Sequence, residues 1–164
     1  MLSERMPWMY RTHEDYDPNV IGAISQAKIA TALLEAGMNL FLPYMRELRC
    51  DMVIEDGEGR LSRVQCKTGQ LQRGAVTFRP WSQQAAKRET GWHRIRVGYK
   101  GEIDYFGIYC PDNGKVYLVP ISDVEVVSMC ALRTEPPKNN QQKRIRWAKD
   151  YEVKPRIITA ALDE

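Results

Sequence analysis

The chain has 164 residues, 43% hydrophobic and 27% charged, enough for one domain with a sizeable core and ordinary for a soluble globular protein. No run approaches the ~18 uninterrupted apolar residues of a membrane span, and Met1-Leu2-Ser3-Glu4-Arg5 lacks the charged-then-apolar pattern of a signal peptide, so a cytoplasmic protein with no membrane partner is expected. A formal net charge of +3 and a pI near 8.7 hint weakly at an anionic partner.

Residues 1–16 show no period and read as an N-terminal arm, with Trp8, Tyr10 and Tyr16 able to pack on a neighbour. Asp17-Pro18-Asn19 then joins an Asx cap to a proline in the first turn. Apolar residues recur at Ile21, Ile24, Ala27, Ile29, Ala30, Leu33 and Leu34, and Gly37 supplies the stop. This predicts a helix over 18–36. Short strands follow at 39–43 and 50–55, the second ending in the turn Glu55-Asp56-Gly57-Glu58-Gly59, with a hairpin partner at 60–68. Val76-Thr77-Phe78 reads as a further strand, whereas 81–90 favour a short helix or loop. Residues 104–110 and 115–120 pair across Pro111-Asp112-Asn113-Gly114 as a second hairpin. After the breaker-rich segment 135–140, Gln141 to Tyr151 suit a helix and Val153 to Ala160 a last strand. Trp147 and Tyr151, four apart on that helix, suit core or interface better than base stacking. With no internal repeat and no dividing linker, 1–164 form a single domain of α/β or α+β class, with 135–164 as a C-terminal tail.

Cysteine usage offers little chemistry. Cys50, Cys66, Cys110 and Cys130 form no C-x-x-C pair, and His13 and His93 lie far apart. Zinc ligation has little support, and the expectation is thiols, mostly buried, rather than disulfides.

The chemistry concentrates in the first hairpin. Along 60–68 side chains alternate faces, so Leu61, Arg63, Gln65 and Lys67 share one face, and Gln65 and Lys67 lie about 7 Å apart. The turn places Asp51 roughly opposite the 65–67 end. Its carboxylate, the Gln65 side-chain carbonyl and the nearby backbone carbonyl of Cys66 are oxygen donors of the kind that hard Mg²⁺ or Mn²⁺ prefers. Lys67 is placed to orient an attacking water or offset phosphate charge.

These residues resemble the PD-(D/E)XK nuclease superfamily, whose second acidic position accepts Gln, and more closely its group I intron-associated, homing-type endonucleases. The resemblance runs through Ile24-Ser25-Gln26-Ala27-Lys28, Arg49 to Ile54, Arg63 to Gly69, Gly101 to Cys110, Val116 to Pro120, Pro136 to Gln141 and Ile145 to Glu152, nearly the whole chain. It implies a restriction-endonuclease-like core, a mixed central sheet flanked by helices, with the metal site at one sheet edge. It also implies that Asp51 binds metal, Gln65 stands at the variant acidic position, Lys67 is the catalytic lysine, and Gln26 takes the place of a helix carboxylate that is usually Glu. A stripe through 22, 26, 29 and 33 lets residue 26 face the sheet. Gln26 is nonetheless a departure: with Gln65 also an amide, Asp51 is the only matched carboxylate, and metal affinity should fall. Three readings stay open: a substitution that traps an uncut complex, a natural tolerated change, or a nuclease relic that binds DNA without cutting.

Cleaving double-stranded DNA requires a cationic track. Arg73, Arg79, Lys87, Arg88, Arg94, Arg96, Lys138, Lys143, Arg144 and Arg146 are candidates for phosphates, with Lys100 between the hairpins. Gln83, Gln84, Asn139, Asn140, Gln141 and Gln142 carry amides suited to adenine edges. One active site per chain and two strands to cut imply a homodimer or homotetramer. The function expected is sequence-specific, metal-dependent DNA cleavage of the homing type. The alternatives are a Holliday-junction-resolving or restriction-like nuclease and, in another class, a catalytically silent DNA-binding protein.

Overall fold

The computed structural model describes residues 17–45, 47–124, 128–137 and 145–156. The expected arm at 1–16, the tail residues Lys138, Asn139, Asn140, Gln141, Gln142, Lys143 and Arg144, and the end of the expected last strand at 157–160 lie outside them.

Helix α1 (Pro18–Glu35) forms as its caps dictate. The Asp17 carboxylate accepts the Asn19 N–H at 2.7 Å, Pro18 occupies the first turn, and Gly37 takes φ +86° as the chain turns out of the helix. Its buried side chains are Ser25, Ile29 and Leu33, four apart. The seam thus runs through 25, 29 and 33 rather than through 22, 26, 29 and 33: Gly22 is exposed and Gln26 is half-buried on its flank.

The strands are β1 (Asn39–Phe41), β2 (Met52–Glu55), β3 (Leu61–Thr68), β4 (Gln70–Gln72), β5 (Ala75–Phe78), β6 (Ser82–Arg88), β7 (Gly91–Val97), β8 (Tyr105–Cys110), β9 (Lys115–Pro120) and β10 (Cys130–Arg133). Five of them make a mixed sheet in the order β1-β2-β3-β8-β9. The β3–β8 pair is parallel and the others are antiparallel. Helix α1 covers one face, where Ile29 and Leu33 meet Met52, Ile54, Val64 and Val116. Burying each of these contributes about 1.5–3 kcal/mol. The approach is close at Gly107, where a Cβ would sit 2.8 Å from Ile29 Cγ2 and 3.2 Å from Val64 Cγ1.

A second sheet, β10-β5-β4, covers the other face. Val76, Phe78 and Leu132 join Phe106, Ile108, Tyr117 and Val119 in that core. Here the two-residue turn between β4 and β5 is Arg73-Gly74, with φ +50° and +70°, both in the left-handed region a tight hairpin demands.

Two expectations are corrected. Residues 82–88 form a strand, β6, paired over its full length with β7 in a two-stranded ribbon separate from both sheets. The polar run Gln83-Gln84 followed by Ala85-Ala86 shows no alternation because the ribbon has no fully buried face. Its strand conformation is imposed by the partner His93-Arg94-Ile95-Arg96-Val97. In the tail, the described part of the expected helix 141–151 is extended: Trp147 bridges Arg133, and only Ala148–Asp150 turn, as a 3-10 helix. Tyr151 packs against the second core and donates its hydroxyl to Asp123 at 2.9 Å. The described part of the expected last strand, 153–156, is not a strand. An isolated bridge from Glu152 to Tyr117 and a hydrogen bond from the Val153 N–H to the Val116 carbonyl tie the tail to β9, and among the described residues no further strand pairing follows. Among the described residues no helix is long and apolar enough to cross a membrane, and none of the four cysteines is in a disulfide, Cys110 and Cys130 being buried.

Candidate active site

The β2–β3 register pairs Met52 with Val64, which sets Asp51 opposite Gln65. Met52 is buried toward α1, so by alternation Asp51 turns to the other face, the face Gln65 and Lys67 share. The Asp51 N–H donates to the Val64 carbonyl at 2.9 Å and keeps the residue in register. Its Oδ2 accepts two bonds of 2.7 Å each, from Gln65 Nε2 and from the Cys66 backbone N–H. Burial pushes the Asp51 carboxyl above its ordinary range. The Cys66 N–H, the charge of Lys67 and the Gln65 amide work against that rise without cancelling it. A half-buried carboxylate in this condition gains from a nearby cation. The Cys66 thiol is pushed up by burial and by Asp51, so it stays protonated and is no competing thiolate ligand.

Lys67 is held by the structure around it. Its Nζ donates to the Trp81 carbonyl at 3.1 Å and to the Tyr99 hydroxyl at 3.0 Å, 4.8 Å from the Tyr99 ring centre. Arg49 lies against the same ring at 4.0 Å. Its guanidinium donates to Ser82 Oγ at 2.6 Å, to the Gly98 carbonyl at 2.6 Å and to Glu102 at 2.8 Å. Trp81 and Ser82 lead into β6, and Gly98 and Tyr99 follow β7. Arg49, just before β2, and Lys67, on β3, therefore fasten both roots of the ribbon to the first hairpin. Sequence reasoning placed Arg49 in a motif but gave it no role, and it missed Tyr99 and Trp81. The only signal was an arginine two residues before the candidate carboxylate.

Lys67 lines a cleft of about 930 Å³ whose walls include Pro18 and Asn19 of α1, Thr68, Gln70, Gln72, Arg79 and Gln83. Of the expected DNA-contacting cations, Arg79 is in this cleft, while Lys87, Arg88, Arg94 and Arg96 are exposed on the ribbon. Arg73 is exposed on the β4–β5 turn, its carbonyl accepting from Arg133, and Arg146 is half-buried in the extended tail. Helix α1 reaches the site at Ser25, whose hydroxyl lies 2.6 Å from that of Thr68. Gln26 is the next residue. Among the described residues no hydrogen bond joins Gln26 to Asp51, Gln65 or Lys67.

Residues 16–154 match a protein family described as PD-(D/E)XK endonuclease. The chain belongs to this family. No curated protein matches the sequence. Among solved structures, the bacterial homing endonuclease I-Ssp6803I is similar at 19% identity, with a TM-score of 0.58 over 84% of this chain and 89% of that one. That likeness is one of fold: the mixed central sheet is the restriction-endonuclease-like core expected from the sequence, but among the described residues it is flanked by one long helix on one face and by the second sheet, not a helix, on the other.

Members of the PD-(D/E)XK family generally use divalent metals. The donors at this site, the Asp51 carboxylate, the Cys66 carbonyl and the Gln65 side-chain carbonyl, are all oxygens, as Mg²⁺ or Mn²⁺ requires. Among the described residues no three His, Cys, Asp or Glu side chains group together, so the donors fit such an ion with one carboxylate only. Gln65 now turns its nitrogen to Asp51, and its amide must flip to offer oxygen.

Proposed function

We propose that this chain is a sequence-specific, divalent-metal-dependent DNA endonuclease of the homing type, working as a homodimer or homotetramer. The observation that carries the reading is the meeting of Asp51, Gln65 and Lys67 at one end of β2 and β3, beside a polar cleft that Lys67 and Arg79 line. Asp51, Gln65 and the Cys66 carbonyl would hold Mg²⁺ or Mn²⁺, which when bound polarises the phosphate and lowers the pKa of its water. The chain's own contribution is positional. Lys67, held on two oxygens, presents an ammonium where negative charge gathers on the scissile phosphate. Arg79 binds the neighbouring backbone, and the basic ribbon extends the track. Each chain carries one such site, so double-strand cutting would need a second copy.

A catalytically silent DNA-binding protein is the second reading, favoured by the two amides at 26 and 65. Cleavage of a mixed DNA library in Mg²⁺ separates the readings, using the native chain beside Gln26→Glu, with Lys67→Ala as the blank. Cutting by both chains means that Asp51 and Gln65 suffice or that another carboxylate helps. Cutting only by Gln26→Glu identifies a metal site weakened at that position. DNA binding without cutting by either removes the nuclease assignment and leaves the silent binder.

A further inference from the structure

We infer that the β6–β7 ribbon enters the DNA major groove and that Gln83 and Arg94, on one of its faces, read bases. The inference rests on the proposal that the chain acts on double-stranded DNA. It begins with register. Gln83 opposes Arg96, Ala85 opposes Arg94 and Lys87 opposes Trp92, and residues directly opposite share a face. All six are exposed, whereas Ala86, Ile95 and Val97 on the reverse face are half-buried. Among the described residues only Trp81 lies against this face, at its root under Arg96; the rest, on a ribbon outside both sheets, is one that a partner is free to cover.

Charge and shape name the partner. Lys87, Arg94 and Arg96 lie on this face and Arg88 on the reverse, and the ribbon holds only one carboxylate, Glu89, so the partner is an anion. Two strands about 4.8 Å apart form a ribbon of the kind that the ~12 Å major groove admits. Seven residues per strand reach about 23 Å, close to seven base pairs at ~3.4 Å each. Gln83 also lines the cleft that holds Lys67, so the face opens on the side where the phosphodiester would lie.

The neighbours divide the roles. Arg96 stacks over the Trp81 ring at 4.6 Å, which keeps it at the ribbon's root and away from bases. Lys87 lies at the tip, suited to a phosphate. Among the described residues Arg94 has the methyl of Ala85 across from it and no ion pair, so its guanidinium can stand out from the face and take the O6 and N7 of a guanine. The Gln83 amide matches the N6 and N7 of an adenine. Arg94 lies further along the ribbon than Gln83, so the guanine would lie further from the cut than the adenine.

The test is selection of bound sequences from a randomised duplex library by the native chain and by Gln83→Ala, Arg94→Ala and His93→Ala, the last on the reverse face. Circular dichroism confirms that each variant is folded. A guanine preference at one position should disappear in Arg94→Ala and an adenine preference nearer the cut in Gln83→Ala, each a loss of about 5- to 150-fold discrimination. His93→Ala should keep both. Replacing the selected guanine by 7-deazaguanine, which lacks only the major-groove N7, should weaken the native chain and leave Arg94→Ala unmoved. Uniformly weaker binding with an unchanged base profile would mean that the ribbon lies on phosphates, and it overturns the inference while leaving the nuclease proposal intact. Absence of DNA binding by the native chain would overturn both.

Discussion

Arg49 offers the sharpest test of how the fold supports the site. Its guanidinium spends all three nitrogens, on Glu102, Ser82 and Gly98, while its plane rests on Tyr99. Hydrogen bonds from a charged donor contribute about 1.5–3 kcal/mol each. The figure shrinks here because Glu102 is 44% exposed and the Ser82 and Gly98 acceptors regain water when the side chain is cut back. The stacked cation adds about 1 kcal/mol. Arg49→Ala should therefore cost about 2–4 kcal/mol in urea unfolding, or ~5–15 °C of Tm for a chain of this size. Arg49→Lys should recover little of that, because an ammonium is a point charge and cannot span three directions and a ring face at once. Glu102→Gln, touching only the exposed arm, should cost less than ~1 kcal/mol. Since Tyr99 also holds Lys67, single-turnover cleavage by Arg49→Lys should fall at temperatures where the variant remains folded. A lysine variant within ~0.5 kcal/mol of the native chain and equally fast would refute this account of the ribbon's anchorage.

At Gly107, substitution to Ala places a methyl 2.8 Å from Ile29 Cγ2, short of the ~3.5–4.0 Å of ordinary contact. Equilibrium unfolding should show a loss of about 1–3 kcal/mol, and combining it with Ile29→Ala should cost less than the two single changes together. Metal linkage gives another outcome: Mg²⁺ should raise the Tm of the native chain, more so that of Gln26→Glu, and not that of Asp51→Asn. A Tm rise with Mg²⁺ that survives Asp51→Asn would remove this carboxylate from the metal site. Tyr151 sets an alkaline limit. Burial, then the bond to and charge of Asp123, push its phenol up to about 12, whereas the unfolded chain ionises near 10. Between those pH values the unfolded state has released a proton that the folded state keeps, so stability is full below pH 10 and falls as pH rises toward 12. Tyr151→Phe should remove that slope in alkaline melts, at a cost of about 1 kcal/mol near neutrality for the lost hydrogen bond.

Local rules determined much of this protein from sequence alone. Asp17, Pro18 and Gly37 bound the helix because caps and turns depend on a few adjacent residues. The Asp56–Gly59 turn and the strict alternation of 61–68 set Asp51 opposite Gln65, because hairpin register follows from turn position. The family, too, was legible in short motifs. What only the tertiary structure decided involves partners distant in sequence. The seam of α1 fell on 25, 29 and 33 because Gly107 receives Ile29 and Thr68 receives Ser25, contacts about 80 and 40 residues away. Residues 82–88 became a strand because β7 supplies the hydrogen-bonding edge that their own composition does not ask for. Lys67 found Trp81 and Tyr99, and Arg49 found Ser82 and Gly98, because a long cation in a polar cleft goes wherever carbonyls and hydroxyls converge, and that convergence exists only once the chain has folded.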